Sequence, residues 1–362
     1  MKFRELAAHW LCPPGEGVFT VNTGSGKRLA LQKALYGEVS PREGWARTLA
    51  DFKDGQVAIF GIASDCGGGI QRGANWGPLC VREALLQDGK ISAVDIGDVR
   101  VIPHLLHDKY LNEATLRECR QALYQNAESS WPVSPLSLAE AAMQAFHEDF
   151  PKSSVFGIGG DHSTSLPLVR AWANAPSRQG KKLGLLHFDA HTDLLEKRLG
   201  IDFCFGTWTF HVREFFPTPD QLIQVGIRST GKDRGHWEKT LNLTQWWARE
   251  VKELGAMGVA EKIVKSYQKA KVEELYLSFD IDALDTQWAS ATGTPEDQGL
   301  DPVECALIIQ HVAKSIPITG ADLMEVAPMV NANFSSNMGQ RLTMETAAQI
   351  ARLLLRTLGA HA

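Results

Sequence analysis

The chain has 362 residues, 44% of them hydrophobic and 22% charged, with a formal net charge of -5. This composition suits a soluble globular protein with a sizeable core, and the length is within reach of one large parallel α/β domain. With no basic stripe and no polybasic cluster, neither nucleic acid nor a membrane surface is an expected partner.

The first 55 residues are punctuated by Pro13, Pro14, Gly15, Gly17, Gly24 and Gly26 and carry one predicted helix, Arg28 to Tyr36. They are expected to form an N-terminal extension that packs on the main domain or on a neighbouring subunit. Residues 56–362 are the expected catalytic domain. Val57 to Ile62 reads as a strand, and Pro78 to Leu86 as the start of a helix. Leu138 to Phe150 has a helical pattern closed by Pro151, and Ser154 to Ile158 is a buried strand. A helix over Pro167 to Trp172 follows, then strands over Leu183 to Phe188 and Leu222 to Ile227. Further on come a helix over Ala256 to Lys269, a strand over Leu275 to Phe279, a helix over Pro302 to Ala313, a strand over Ile318 to Val326 and a closing helix over Thr343 to Leu358. Apolar strands separated by helices indicate a parallel sheet covered on both faces, with ligands at the carboxyl edge of the strands.

The cysteines (Cys12, Cys66, Cys80, Cys119, Cys204, Cys305) form no CxxC pair. They read as reduced thiols, and the first fifteen residues lack the apolar core of a signal peptide, so a cytoplasmic protein is expected.

Three polar clusters end three of the strands: Gly159-Gly160-Asp161-His162-Ser163, His187-Phe188-Asp189-Ala190-His191-Thr192-Asp193, and Ser278-Phe279-Asp280-Ile281-Asp282-Ala283-Leu284-Asp285. In extended backbone, residues i, i+2 and i+4 share a face, so Asp189, His191 and Asp193 converge, as do Asp280 and Asp282. Four aspartates in one cleft repel unless cations sit among them. Two divalent ions balance them, with His162 and His191 as neutral ligands. An oxygen-rich set with two imidazoles suits Mn²⁺, with Ni²⁺, Co²⁺, Fe²⁺ or Zn²⁺ as alternatives. Such a pair would bring a bridging hydroxide within reach of neutral pH.

These clusters resemble the three signatures of the ureohydrolase superfamily (arginase, agmatinase, formimidoylglutamase). Arg72-Gly73-Ala74-Asn75-Trp76-Gly77-Pro78 with Arg82-Glu83, Asp95-Ile96-Gly97-Asp98-Val99, Gly226-Ile227-Arg228, Thr292 to Pro295, and Asp322-Leu323-Met324-Glu325-Val326-Ala327-Pro328 extend the likeness across roughly residues 56–358. The resemblance implies an arginase-like three-layer α/β/α domain with a central, mostly parallel sheet. It implies two Mn²⁺ ions on His162, Asp189, His191, Asp193, Asp280 and Asp282. Glu325 corresponds to the carboxylate that pairs with a guanidinium or formimino group, and trimers or hexamers are the expected assembly. Asp193 or water on the metal is the expected proton carrier.

The chain departs from the pattern in one loop. Arginases and agmatinases carry a His-Gly pair there; this chain reads Asp202-Phe203-Cys204-Phe205-Gly206-Thr207-Trp208-Thr209-Phe210-His211. Phe205 takes the position of the missing His, and His211 is the candidate substitute. Phe203, Phe205, Trp208 and Phe210 are expected to wall a small pocket facing a cation; Phe205 and Trp208 are the candidate substrate contacts. The expected activity is hydrolysis of a small guanidine- or agmatine-like substrate to urea and an amine. The alternatives are a formimidoylglutamase-type hydrolase releasing formamide, a non-catalytic subunit partnering a related chain, and a single-zinc deacetylase-like relative.

Overall fold

The computed structural model describes residues 2–17, 22–87, 89, 91–330 and 338–360. The chain runs α1 (Phe3–Trp10), β1 (Leu11–Cys12), α2 (Ser25–Tyr36), α3 (Pro41–Asp51), β2 (Val57–Gly61), α4 (Gly77–Gln87), β3 (Val94–Val99), α5 (Glu113–Tyr124), α6 (Pro135–Asp149) and β4 (Ser154–Ile158). It continues with α7 (Ser165–Ala173), β5 (Leu183–Phe188), β6 (Leu222–Ile227), α8 (Arg234–Leu241), β7 (Thr244–Trp247), α9 (Ala248–Leu254), α10 (Ala256–Ala270), β8 (Glu274–Asp280), α11 (Pro302–Ala313), β9 (Ile318–Met324) and α12 (Met338–Gly359).

The strands form one sheet in the order β1-β3-β2-β4-β9-β8-β5-β6-β7. Every pairing is parallel except that of β1 with β3. Alternation along β5 explains the two-sided core. Leu186 and Phe188 join Val259, Ile263, Ile308 and Leu354 on one face, whereas Leu183 and Leu185 join Phe146, Leu168 and Trp172 on the other. Helices on both faces make this a three-layer α/β/α fold, and the parallel strands put the carboxyl ends of β4, β9, β8 and β5 side by side at its centre.

The described residues among the first 55 are built into this body. Phe3, Leu6 and Trp10 of α1 share a core with Phe146 and Phe150, and Phe3 meets the Phe146 ring edge-on at 5.2 Å. Leu11 and Cys12 extend the sheet by pairing with Val99 and Asp98. Trp45 of α3 donates its indole N–H to the Ile96 carbonyl at 3.0 Å. The last strand ends earlier than its apolar run suggests. Glu325 adopts a left-handed φ of 60° and donates its N–H to the Gly160 carbonyl at 2.9 Å, turning the chain out of β9.

Candidate metal centre

The three polar clusters meet at the carboxyl ends of β4, β5 and β8. His162 follows β4 in a single turn capped by Asp161, whose carboxylate accepts the Ser163 N–H at 2.9 Å. Gly160 lets this turn approach the next loop: a Cβ there would lie 1.6 Å from the Ser64 carbonyl oxygen. His162 Nδ1 points at three carboxylate oxygens, of Asp280 at 2.9 Å, Asp189 at 3.1 Å and Asp193 at 3.2 Å. Its Nε2 meets Ser278 Oγ at 3.0 Å, and Ser278 in turn donates to Asp322 at 2.7 Å. Ser278 thereby orients the ring with Nδ1 toward the carboxylates.

A second group adjoins the first. His191 Nδ1 lies 3.1 Å from Asp282 and 3.5 Å from Asp189. Backbone donors fix the acids: His191 N–H to Asp189 Oδ1 at 2.6 Å, Ala190 N–H to Asp282 at 3.1 Å, and Asp282 N–H to Asp280 at 2.8 Å. The ligand atoms of His162, His187, Asp189 and Asp193 lie within 4.8 Å of one another, and so do those of Asp189, His191 and Asp282. Asp189 belongs to both groups. Asp280 reaches the first through His162. Asp193, at φ 52°, is held by the Trp208 indole N–H at 2.9 Å. Glu325 stands beside them, its carboxylate accepting the His162 N–H at 2.9 Å.

All these acids are buried, and among the described residues no Lys or Arg side chain pairs with any of them. Burial, then the charges of Asp282 and Asp189, push Asp280 well above the usual carboxylate range. Burial and then Asp280 do the same to Glu325. Burial opposes a proton on His191, yet Asp282 and Asp189 push it up to about 12. His162 Nδ1 is buried among three carboxylates without a well-formed hydrogen bond to any. Such a donor set lacks positive charge at two adjacent points, and divalent cations fit it.

The four aromatic residues of the loop are spread over four places. Phe205 lines a cavity of about 590 Å³ with Gly69, Ile70, Arg72 and Tyr110, and the Arg198 guanidinium stacks 4.6 Å from its ring. Phe203 lies under Lys109, at 4.1 Å, and Phe210 under Arg213, at 3.6 Å. Trp208 is fully buried, its ring 4.8 Å from that of His162 and 5.0 Å from that of His187. It backs the acids and does not reach the cavity wall expected of it, because its N–H is bound to Asp193. His211 turns its Nε2 to the Glu196 carbonyl at 3.0 Å and lines a different cavity with Arg170 and Arg213, so the structure does not bring it to the carboxylates as the expected substitute imidazole. These cations are the chain's own, which accounts for the aromatic richness without a bound one.

Sequence reasoning assigned no part to His187. The signal was present: it precedes Asp189 by two residues and shares its strand face.

The model of the Arginase family matches residues 55–355. The guanidinobutyrase of Pseudomonas aeruginosa is 27% identical over 330 residues, covering 82% of this chain and 90% of that protein. The agmatinase of Bacillus anthracis is 29% identical over 284 residues, covering 77% of this chain and 86% of that protein. Among solved structures, proclavaminate amidino hydrolase from Streptomyces clavuligerus superposes with a TM-score of 0.65 at 24% identity, covering 86% of this chain and 94% of that one. Fold, matched span and the paired His/Asp groups agree: the chain belongs to the arginase family.

Proposed function

We propose that this chain is a two-metal hydrolase that cleaves a C–N bond of a small guanidino compound, releasing urea and an amine. The observation that carries the reading is the pair of His/Asp groups sharing Asp189, with Glu325 beside them. His162, Asp189, Asp193 and Asp280 would hold one cation, and His191, Asp282, Asp189 and Asp280 the other. Mn²⁺ is the first choice and Ni²⁺ the second, on the chemistry of the donors. When bound, the two cations would supply a hydroxide nucleophile near neutral pH.

Glu325 accepts paired hydrogen bonds from the planar substrate cation and holds its carbon in place for attack. The backbone N–H of His162 anchors that carboxylate, so it is preorganised toward the reacting carbon. Asp193, held by the Trp208 indole N–H at 2.9 Å, carries the proton to the leaving amine. Phe205, which lines a cavity of about 590 Å³, is assigned to the substrate side of this loop. The Phe at this position also supports the second reading, a formimino substrate giving formamide. Assembly as a trimer or hexamer, alone or with a related subunit, is part of the same proposal and is read by light scattering.

The test is release of urea, formamide and ammonia from a panel of guanidine, agmatine, arginine, 4-guanidinobutyrate and N-formimino-glutamate, with Mn²⁺- and Ni²⁺-loaded protein. Urea from one of the guanidino compounds is expected. Formamide alone selects the second reading, and no product from any compound contradicts both.

A further inference from the structure

His187, Gln224 and Gln245 are fully buried polar residues with no role in the chemistry above. They occupy one row across three neighbouring strands: His187 is in register with Gln224, and Gln224 with Gln245. Their hydrogen bonds run in one direction, set by groups whose donor or acceptor character is fixed. The Trp247 indole N–H, which only donates, gives to Gln245 Oε1 at 3.1 Å. Gln245 Nε2 therefore donates to Gln224 Oε1 at 2.8 Å. Gln224 Nε2 donates to the Thr192 carbonyl at 2.7 Å, which confirms the amide orientation, and reaches His187 Nδ1 at 2.9 Å. The Thr209 hydroxyl, 3.5 Å away, also approaches that nitrogen. Nδ1 is thus placed to accept, which puts an N–H at Nε2. Nε2 lies 2.9 Å from Asp189 Oδ2 and donates to it.

We propose that the row Trp247–Gln245–Gln224–His187 is a positioning relay that fixes the orientation of Asp189, the carboxylate shared by both metal groups, and that His187 is not itself a ligand. Geometry gives the reason. Asp189 Oδ1 is pinned by the His191 N–H at 2.6 Å and Oδ2 by the His187 N–H, so the carboxylate plane is set from both ends. The remaining lone pairs face His162 and His191, where the cations would sit. An Nε2 that carries a proton has no lone pair for a metal. Partners behind a ligand are worth about 10- to 100-fold in metal affinity.

This rests on the two-metal reading, and equilibrium dialysis against Mn²⁺ separates the two. The measurements are affinity and ions bound per chain at saturation, for the full-length wild type and for His187→Gln, His187→Phe and Gln224→Met, with melting curves to establish folding. His187→Phe and Gln224→Met are expected to bind Mn²⁺ about 10- to 100-fold more weakly while still taking up two ions at saturation. His187→Gln, which keeps an N–H donor near Asp189, is expected to recover most of the loss. Affinities within twofold of wild type in Gln224→Met and His187→Phe would overturn the relay. Loss of one ion per chain at saturation in His187→Gln would overturn it by making His187 a ligand. If His187→Phe fails to fold, Gln224→Met decides, since it leaves the imidazole in place. A wild type that takes up no Mn²⁺ overturns the two-metal reading before any variant is compared, and the relay with it.

Discussion

Two groups of buried carboxylates sit on the same sheet and are neutralised in different ways. In the first, Arg82 of α4 pairs with Asp95 at 2.7 Å and Asp98 at 2.5 Å, and Asp98 also accepts the N–H groups of Gly15 and Gly17. The chain supplies its own cation and ties the N-terminal segment to β3. In the second, Asp189, Asp193, Asp280, Asp282 and Glu325 crowd together with imidazoles and backbone donors, and among the described residues without an ion pair to Lys or Arg. Where the carboxylates serve the fold, counter-charge is covalent. Where it is left out, exchangeable cations would provide it.

That contrast can be broken in several ways. The largest effect is expected from Asp280→Asn, which removes a charge from the uncompensated group: metal uptake falls and turnover drops about 10³-fold, or about 4 kcal/mol. Unchanged turnover would remove Asp280 from the ligand set. Arg82→Met attacks the other group and leaves the buried Asp98 and the partly buried Asp95 without their cation, a loss of about 3–5 kcal/mol in stability by denaturant titration. Metal stoichiometry of the folded fraction should stay at the wild-type value. Glu325→Gln keeps the acceptor for the His162 N–H but loses the charge that meets the substrate. A fall of about 10²-fold in kcat/KM is expected, with metal content unchanged, since a hydrogen bond to a charged group is worth roughly 1.5–3 kcal/mol.

The smallest expected effect is on the pH dependence of stability in metal-free protein. Asp280 and Glu325 have folded-state pKa values raised above those of unfolded carboxyls, chiefly by burial. Their contribution is present below the unfolded pKa and is lost as pH rises toward the folded values, because the folded state then binds more protons than the unfolded. Metal-free protein should therefore melt lower as pH rises from the ordinary carboxylate range. Metal should raise the melting temperature more at the upper end. An equal increment at every pH would contradict this.

Much of the centre was legible because the polar clusters begin where the apolar runs of β4, β5 and β8 stop. The extended backbone expected to align Asp189, His191 and Asp193 ends at Phe188, and Asp282 lies in a short turn after β8; with Asp193 at φ 52°, local turns rather than strand alternation bring these side chains together. Other parts depend on partners distant in the chain. β3 reads as polar because Asp95 and Asp98 belong to Arg82. β7 is a short edge strand with Gln245 inside it, and its meaning appears only when Gln224 stands alongside. The stripe of Phe3, Leu6 and Trp10 becomes a helix face once Phe146 and Phe150 cover it. The aromatic loop suggests a cation-facing pocket, but only tertiary structure shows that Lys109, Arg198 and Arg213 already occupy those ring faces.

The central claim is that the uncompensated group is completed by two cations. Elemental analysis of wild-type protein, freed of metal and then dialysed against Mn²⁺ or Ni²⁺ and washed, reads it directly. Two ions per chain are predicted, falling in Asp280→Asn. Fewer than one per chain with either metal would contradict the account.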